Sequence, residues 1–410
     1  MLEYLWLIWL IPIPIMTILF TRYVHNCHVY RNESFNPMVK EDRSPFIIFQ
    51  ICSKNAPPIV HDVIARIRTV CEKLRFSNYR IDLVVDDLPP QEKFDANVVL
   101  VPKNYKPPNG CKTKPRALQY AVERRKINGE ISKDIWIFLL DEESFITEQT
   151  LKSLLHYLAQ PNPPPIAEGP IIYPNKFFEA NLLCSFAECM RPYICYDCVT
   201  QMTSGNGPIH MHGSNLLVRS DIEAQVGWDF PGVEASEDQR FGWEAYNLLG
   251  GKVFGWHGGI LEEQPPLTIK DLIKQRRRWF IGNIHNIKWA NIPKKKKVYV
   301  ALRWITWGVG FLAGVLSFPG FFFSIIFWFI PQKIPYYFQI PLILNTLIWI
   351  IPYQIGLKLN LEALELSTKK RVTLHFILFL LTPIVGLIET YAVFTAPFFV
   401  KRFVRVPTPK

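Results

Sequence analysis

Four long apolar stretches bracket the chain and leave only its middle free to fold in water. Residues 2–21, LEYLWLIWLIPIPIMTILFT, carry one charged side chain, Glu3. As a helix rising 1.5 Å per residue, that run reaches about 30 Å, the thickness of a bilayer's hydrocarbon core. Further apolar blocks occupy residues 298–330, 336–357 and 372–400. The pattern predicts a transmembrane anchor at 1–22, a soluble domain over 44–292, a multi-span membrane region at 298–400 and a basic tail at 401–410. No basic segment precedes the first run and no small-residue cleavage site follows it, which argues against a cleaved signal peptide. The middle is about the size of a single α/β domain.

The net charge of +11 follows this division. Much of it is juxtamembrane: Lys294 to Lys297, Lys369 to Arg371, and Lys401, Arg402, Arg405 and Lys410. Basic flanks mark the cytoplasmic side of a span, and Arg22 and Arg31 agree with Lys294 to Lys297 in placing the soluble domain there. That predicts a multi-pass protein of the endoplasmic reticulum or Golgi membrane in a eukaryote, or of the cell membrane in a prokaryote. Membrane lipids are thus expected partners and nucleic acid is not, since a nucleic-acid binder needs a soluble basic face with exposed aromatics and most Trp and Phe here fall in the spans. Loop 358–371 and the tail are both basic although one span separates them. Either one departs from the charge rule, or Pro319-Gly320 or Pro383 marks a re-entrant hairpin.

Eight cysteines include the pair Cys195-Tyr-Asp-Cys198, with Cys184 and Cys189 nearby. Their spacing lacks the second tight pair that a zinc site wants, so reduced thiols are expected. His212 and His257 read as hydrogen-bonded structural residues.

Within the soluble part, FIIFQIC (46–52), IDLVVDD (81–87), NVVLVP (97–102) and IWIFLLD (135–141) read as strands. Helices are predicted over 61–75, where Val63, Ile67, Val70 and Leu74 share a face, and over 114–127. Strands alternating with helices predict a mostly parallel sheet, whose ligands bind beyond the carboxyl ends of the strands. Asp86-Asp87 and Asp141 to Glu143 both fall there. Ser144 or Asp141 as the cap of a following helix would account for one cluster, but two acid pairs at one rim repel unless something positive lies between them. Mg2+ or Mn2+ with a diphosphate meets that need, because hard cations take carboxylate oxygens and keep phosphates as other ligands. Alternation at i and i+2 lets Asp141 and Glu143 share the ion while Glu142 faces elsewhere. Lys112, Lys114 and Arg116 lead into a helix start that favours anions. Further on, Ser236-Glu237-Asp238 reads as a helix start with Ser236 as N-cap, or as a paired-acid site in which Glu237 raises the pKa of Asp238. Residues 268–292 are amphipathic, with Leu272, Ile273, Trp279, Phe280 and Ile287 interleaved with Lys and Arg, as in a helix lying on a membrane surface.

The ordered set of Asp86-Asp87, KPRALQYA, the acids at 141–143, ASEDQRFGW (235–243) and QRRRW (275–279) resembles the family 2 inverting glycosyltransferases of GT-A (Rossmann-like) fold, where the last two are the E-D and Q-x-x-R-W motifs. The stretches LLDEESFITEQTL, AEGPIIYPN, HGSNLLVRSDIEAQVGWDF, EEQPPLTIKDLIKQRRRWFIGN and TPIVGLIETYAVF look like the egghead-type β-1,4-mannosyltransferase group, across most of residues 45–400. The resemblance implies that Asp86 or Asp87 contacts the nucleotide, that Lys114 and Arg116 lie near the diphosphate, and that Asp141 and Glu143 hold the metal that bridges it. Asp238 would be the general base with Glu237 beside it, and Gln275, Arg278 and Trp279 would line the acceptor site and clamp the diphosphate. The expected activity is transfer of mannose from GDP-mannose to a lipid-linked sugar such as glucosylceramide. The alternative is a processive polysaccharide or oligosaccharide synthase using UDP-glucose or UDP-N-acetylglucosamine. A non-catalytic scaffold would have lost the acids, which are all present.

Overall fold

The structure, a computed structural model, describes residues 17–18, 20–22, 24–26, 45–87, 92–233, 235–328 and 336–399. The anchor expected at 1–22 lies mostly outside these residues, and the tail at 401–410 wholly so.

Strand β1, Phe46–Ser53, alternates as a strand buried on both faces must: Ile47, Phe49 and Ile51 enter one core, Ile48 and Cys52 the other. Helix α1, Ile59–Lys73, buries Val60, Val63, Ile64, Ile67 and Val70 in the first core. Strands β2, Tyr79–Val85, and β3, Asn97–Leu100, extend the sheet on one side of β1. Helix α2, Thr113–Ile127, leads to β4, Ile135–Asp141, on the other side of β1. Beyond β4 come β8, Leu216–Arg219, then β6, Ile166–Glu168, and β9, Phe254–Trp256. The sheet order is β3-β2-β1-β4-β8-β6-β9, and only β8 runs antiparallel to its neighbours. Register sets the rim: Cys52 pairs with Asp141 and Ser53 with Val85, so the chain leaves β1, β2 and β4 at one level. A second sheet joins β5, Phe145–Ile146, and β7, Ile171–Ile172, to the intervening β10, Leu261–Glu262.

The helix starts bear on both capping alternatives. Helix α3, Glu148–Leu158, is capped by neither Asp141 nor Ser144. Thr147 accepts the Thr150 N–H at 3.1 Å while Thr150 Oγ1 accepts the Thr147 N–H at 2.8 Å. Ser236 does precede a helix, Glu237–Leu249, yet its side chain makes no cap bond and its backbone is left-handed at φ 56°. Serine in that region costs about 1–3 kcal/mol and persists only where surrounding packing imposes it.

Among the described residues, three helices are long and apolar enough to cross a membrane, over Lys294–Pro319, Leu342–Glu362 and Thr368–Phe399. The first belongs to a helix running Lys294–Trp328 through Pro319, and the last passes through Pro383. Neither proline therefore turns the chain back as a hairpin. The amphipathic helix Ile269–Trp289 packs along Thr368–Phe399 rather than lying alone on a surface. The first core continues from the sheet into these helices through Trp349, Tyr353, Leu374 and Leu378. At the other end of the chain, Asn26 donates to Thr200 Oγ1 at 3.0 Å.

Candidate active site

The acids after β4 meet a lysine instead of facing one another across water. Lys114, on the first turn of α2, places Nζ 2.5 Å from Asp141 Oδ1, 2.9 Å from the Gly213 carbonyl and 3.8 Å from Glu237. Burial pushes its pKa down, but Asp141 and Glu237 outweigh that and hold it above the ordinary lysine range. The Ser53 hydroxyl donates to Glu142, tying that acid to the end of β1. Glu263, just after β10, was not singled out from the sequence. Its Oε1 accepts from Ser214 Oγ at 2.5 Å and from Ser144 Oγ at 2.9 Å. Burial first, then the charges of Glu143 and Asp141, raise its pKa to about 7. Its signal was available in Glu262-Glu263-Gln-Pro-Pro, two acids closing an apolar strand as they do at β4.

These carboxyl groups line one polar cavity with Lys54, Lys112, Lys114, Arg278 and Gln275. Carboxylate oxygens form a hard donor set, and a carboxyl driven up by burial and by two like charges marks where positive charge is wanted. The cavity's carboxylates are oxygen donors of the kind that Mg2+ or Mn2+ takes, and Asp141, Glu143 and Glu263 lie near enough for their charges to interact.

Asp238 stands across the cavity on the first turn of Glu237–Leu249. Its Oδ1 accepts from the Gln239 N–H at 2.8 Å, and burial, followed by Glu237, raises its pKa to about 7. Lys114 pulls the other way without cancelling the shift. Trp279, on Ile269–Trp289, has the Arg191 and Arg276 guanidinium carbons 4.4 and 4.6 Å from its ring centroid. Arg276, the first arginine of QRRRW, is buried and donates to Gln275 Oε1 at 2.6 Å, Glu389 Oε1 at 2.7 Å and Glu188 Oε1 at 2.9 Å. Arg276 was not among the expected site residues, although Glu389 within an apolar span was a visible sign of a buried partner.

A second cavity, mostly apolar, lies toward the long helices and is lined by Met190, Ile194, Trp304, Trp307, Phe311 and Trp349. Asp238, Trp279, Arg191, His212 and Ser236 belong to the walls of both cavities. His212, expected to be merely structural, is thus one of the residues at the junction.

Other expected site residues lie apart. Arg116 gives Nη1 to Asp86 Oδ1 at 2.6 Å and Nε to the Tyr105 carbonyl at 3.1 Å, so it braces the end of β2 rather than lining the polar cavity. Asp87 donates its N–H to the Lys54 carbonyl at 2.8 Å and sits 3.6 Å from Lys103. Both acids remain on the same rim as Asp141, next to Lys54.

The sequence profile described as glycosyl transferase family group 2 matches residues 136–357, more than half of the chain. The chain belongs to glycosyl transferase family group 2. The mixed α/β sheet is accordingly of the GT-A kind expected for this glycosyltransferase family. The β-1,4-mannosyltransferase egh of Drosophila melanogaster is 27% identical over 280 residues, covering 64% of this chain and 58% of that protein. The β-1,4-mannosyltransferase bre-3 of Caenorhabditis elegans is 28% identical over 272 residues, with the same coverage of 64% and 58%. The chain thus spans less than two thirds of the length of these relatives. Among solved structures, a mannosyltransferase of Pyrobaculum calidifontis in complex with GDP-Man and Mn2+ is similar at 11% identity and a TM-score of 0.46, covering 97% of this chain and 99% of that one.

Proposed function

We propose that the chain is a membrane-bound inverting mannosyltransferase that moves mannose from GDP-mannose to a lipid-linked sugar such as glucosylceramide, forming a β-1,4 linkage. One observation carries the reading: Asp238 and Trp279 form the common wall of a carboxylate-lined polar cavity and an apolar cavity against the long helices. A nucleotide sugar suits the first and the head of a glycolipid the second, so the acceptor hydroxyl meets the anomeric carbon at Asp238. The names of the relatives egh and bre-3 support mannose and the linkage.

In an inverting transfer the acceptor oxygen bonds to the anomeric carbon as the bond to the diphosphate breaks, and the hydroxyl proton needs a base. Asp238, with its pKa raised to about 7, takes that proton efficiently near neutral pH. Lys114 and Arg278 offset the charge developing on the departing diphosphate. Mg2+ or Mn2+ at Asp141 and Glu143 would supply Lewis-acid charge to the same group. Asp86 or Asp87, at the neighbouring strand end, takes the nucleoside, while Gln275 holds the acceptor beside Trp279. The basic flanks Arg22 and Lys294 to Lys297 favour a cytosolic site, in the endoplasmic reticulum or Golgi membrane of a eukaryote or the cell membrane of a prokaryote.

The test is a donor panel with purified full-length chain, a short glucolipid and Mn2+, with product length read by mass spectrometry. A single added mannose from GDP-mannose is expected. A ladder of sugars from a UDP-sugar would overturn the reading in favour of a processive synthase.

A further inference from the structure

The cysteine pair that lacked a partner pair in the sequence finds one in space, made of histidines. Cys195 and Cys198 lie one turn apart on the helix Arg191–Thr203, and His210 and His212 lie on the segment that follows it. Cys198 Sγ is 3.2 Å from His210 Nε2, and Cys195 Sγ is 3.6 Å from His212 Nε2. One ligand atom each from Cys198, His210 and His212 fall within 4.8 Å of one another. With zinc–sulfur bonds of ~2.3 Å and zinc–nitrogen bonds of ~2.0–2.1 Å, a tetrahedral site puts sulfur and nitrogen about 3.5 Å apart, so both measured pairs match its edges. Cys195, Cys198 and His212 are buried.

We propose that Cys198, His210 and His212 bind a Zn2+ ion, with Cys195 the nearest fourth donor. The surroundings support a cation. Glu168 is fully buried; its Oε1 accepts the His212 N–H at 2.6 Å, while Oε2 has no hydrogen-bond partner and lies 4.0 Å from His212 Nδ1. That Nδ1 is likewise without a hydrogen-bond partner. A metal on Nε2 fixes the proton on Nδ1, toward the carboxylate, which is the usual outer partner of a metal-bound imidazole. On binding, the Cys198 thiol gives its proton to solvent and the thiolate takes the metal. Soft donors distinguish this site from the all-oxygen set at Asp141 and Glu143. The ion would staple the helix Arg191–Thr203 to the segment ending at Gly213, whose carbonyl holds Lys114.

The test uses the full-length chain purified in detergent under reducing conditions without added zinc or chelator. Elemental analysis is expected to find about one zinc per chain, as a closed structural site retains its ion. Exchange with Co2+ should give a thiolate-to-cobalt absorption band and tetrahedral visible bands. Both should vanish in Cys198→Ser and persist in Glu143→Gln, which touches only the oxygen site. Wild-type protein with no stoichiometric zinc and no thiolate–cobalt band would overturn the proposal, whether or not the variants fold.

Discussion

Replacing Asp238 with Asn should stabilise the protein at high pH while removing its activity. Asp238 moves from an ordinary carboxyl value of 3.8 to about 7, roughly three units, and at ~1.36 kcal/mol per unit the ionised form costs about 4 kcal/mol. In the folded chain the group keeps its proton up to about pH 7, whereas the unfolded chain loses it near 3.8. The unfolded state thus binds fewer protons in that window, so stability falls as pH rises through it and the full penalty stands above it. Asparagine keeps the shape and never ionises. Thermal melts in detergent should show variant and wild type close together near pH 4 and separating toward pH 9, by of order 10 °C. Glu263 titrates in the same range but is present in both proteins and cancels. Transfer should drop ~10²–10⁴-fold, as expected on removing a general base, with donor affinity nearly intact. A melting gap of equal size at pH 5 and pH 9, or full activity in the variant, would refute the reasoning.

Glu143→Gln should weaken Mn2+ binding at least ~tenfold by isothermal titration, and Glu142→Gln less, since Glu142 is held by Ser53 while Glu143 faces Glu263. Equal losses would undo that division. Lys114→Met should move the acid limb of the rate profile to higher pH, because Lys114 lowers the pKa of Asp238; an unmoved limb would separate the two groups. Arg276→Met should cost about 3–5 kcal/mol by leaving Glu188 and Glu389 buried without their cation, and adding Glu389→Gln should restore part of it, as read from melting temperature.

The strands carrying the acids were legible because burial on both faces writes them as unbroken apolar runs: IWIFLLD is β4 residue for residue. Their destination at one rim followed from strand–helix alternation. What sequence could not show was pairing across distance. Arg116 was assigned to phosphate from its place before a helix, yet Asp86, 30 positions earlier, takes it. Glu263 and Arg276 escaped because each acts through partners more than 80 positions away, at Ser144 and at Glu188 and Glu389. Ser236 holds the N-cap position that the sequence offered as one alternative, but its left-handed backbone leaves the side chain without a cap bond, which no local pattern encodes.

The link from Arg276 to Glu389 also bears on how the protein is made. The two residues are separated by 113 positions, so at ~5–20 residues per second the carboxylate emerges roughly 6–23 s after the guanidinium. During that interval the sheet can form while the helix bearing Trp279 still lacks its last support. Bracing of the site is therefore completed late in translation, and chains stopped before Thr368–Phe399 should carry every acid of the polar cavity while Arg276 lacks Glu389.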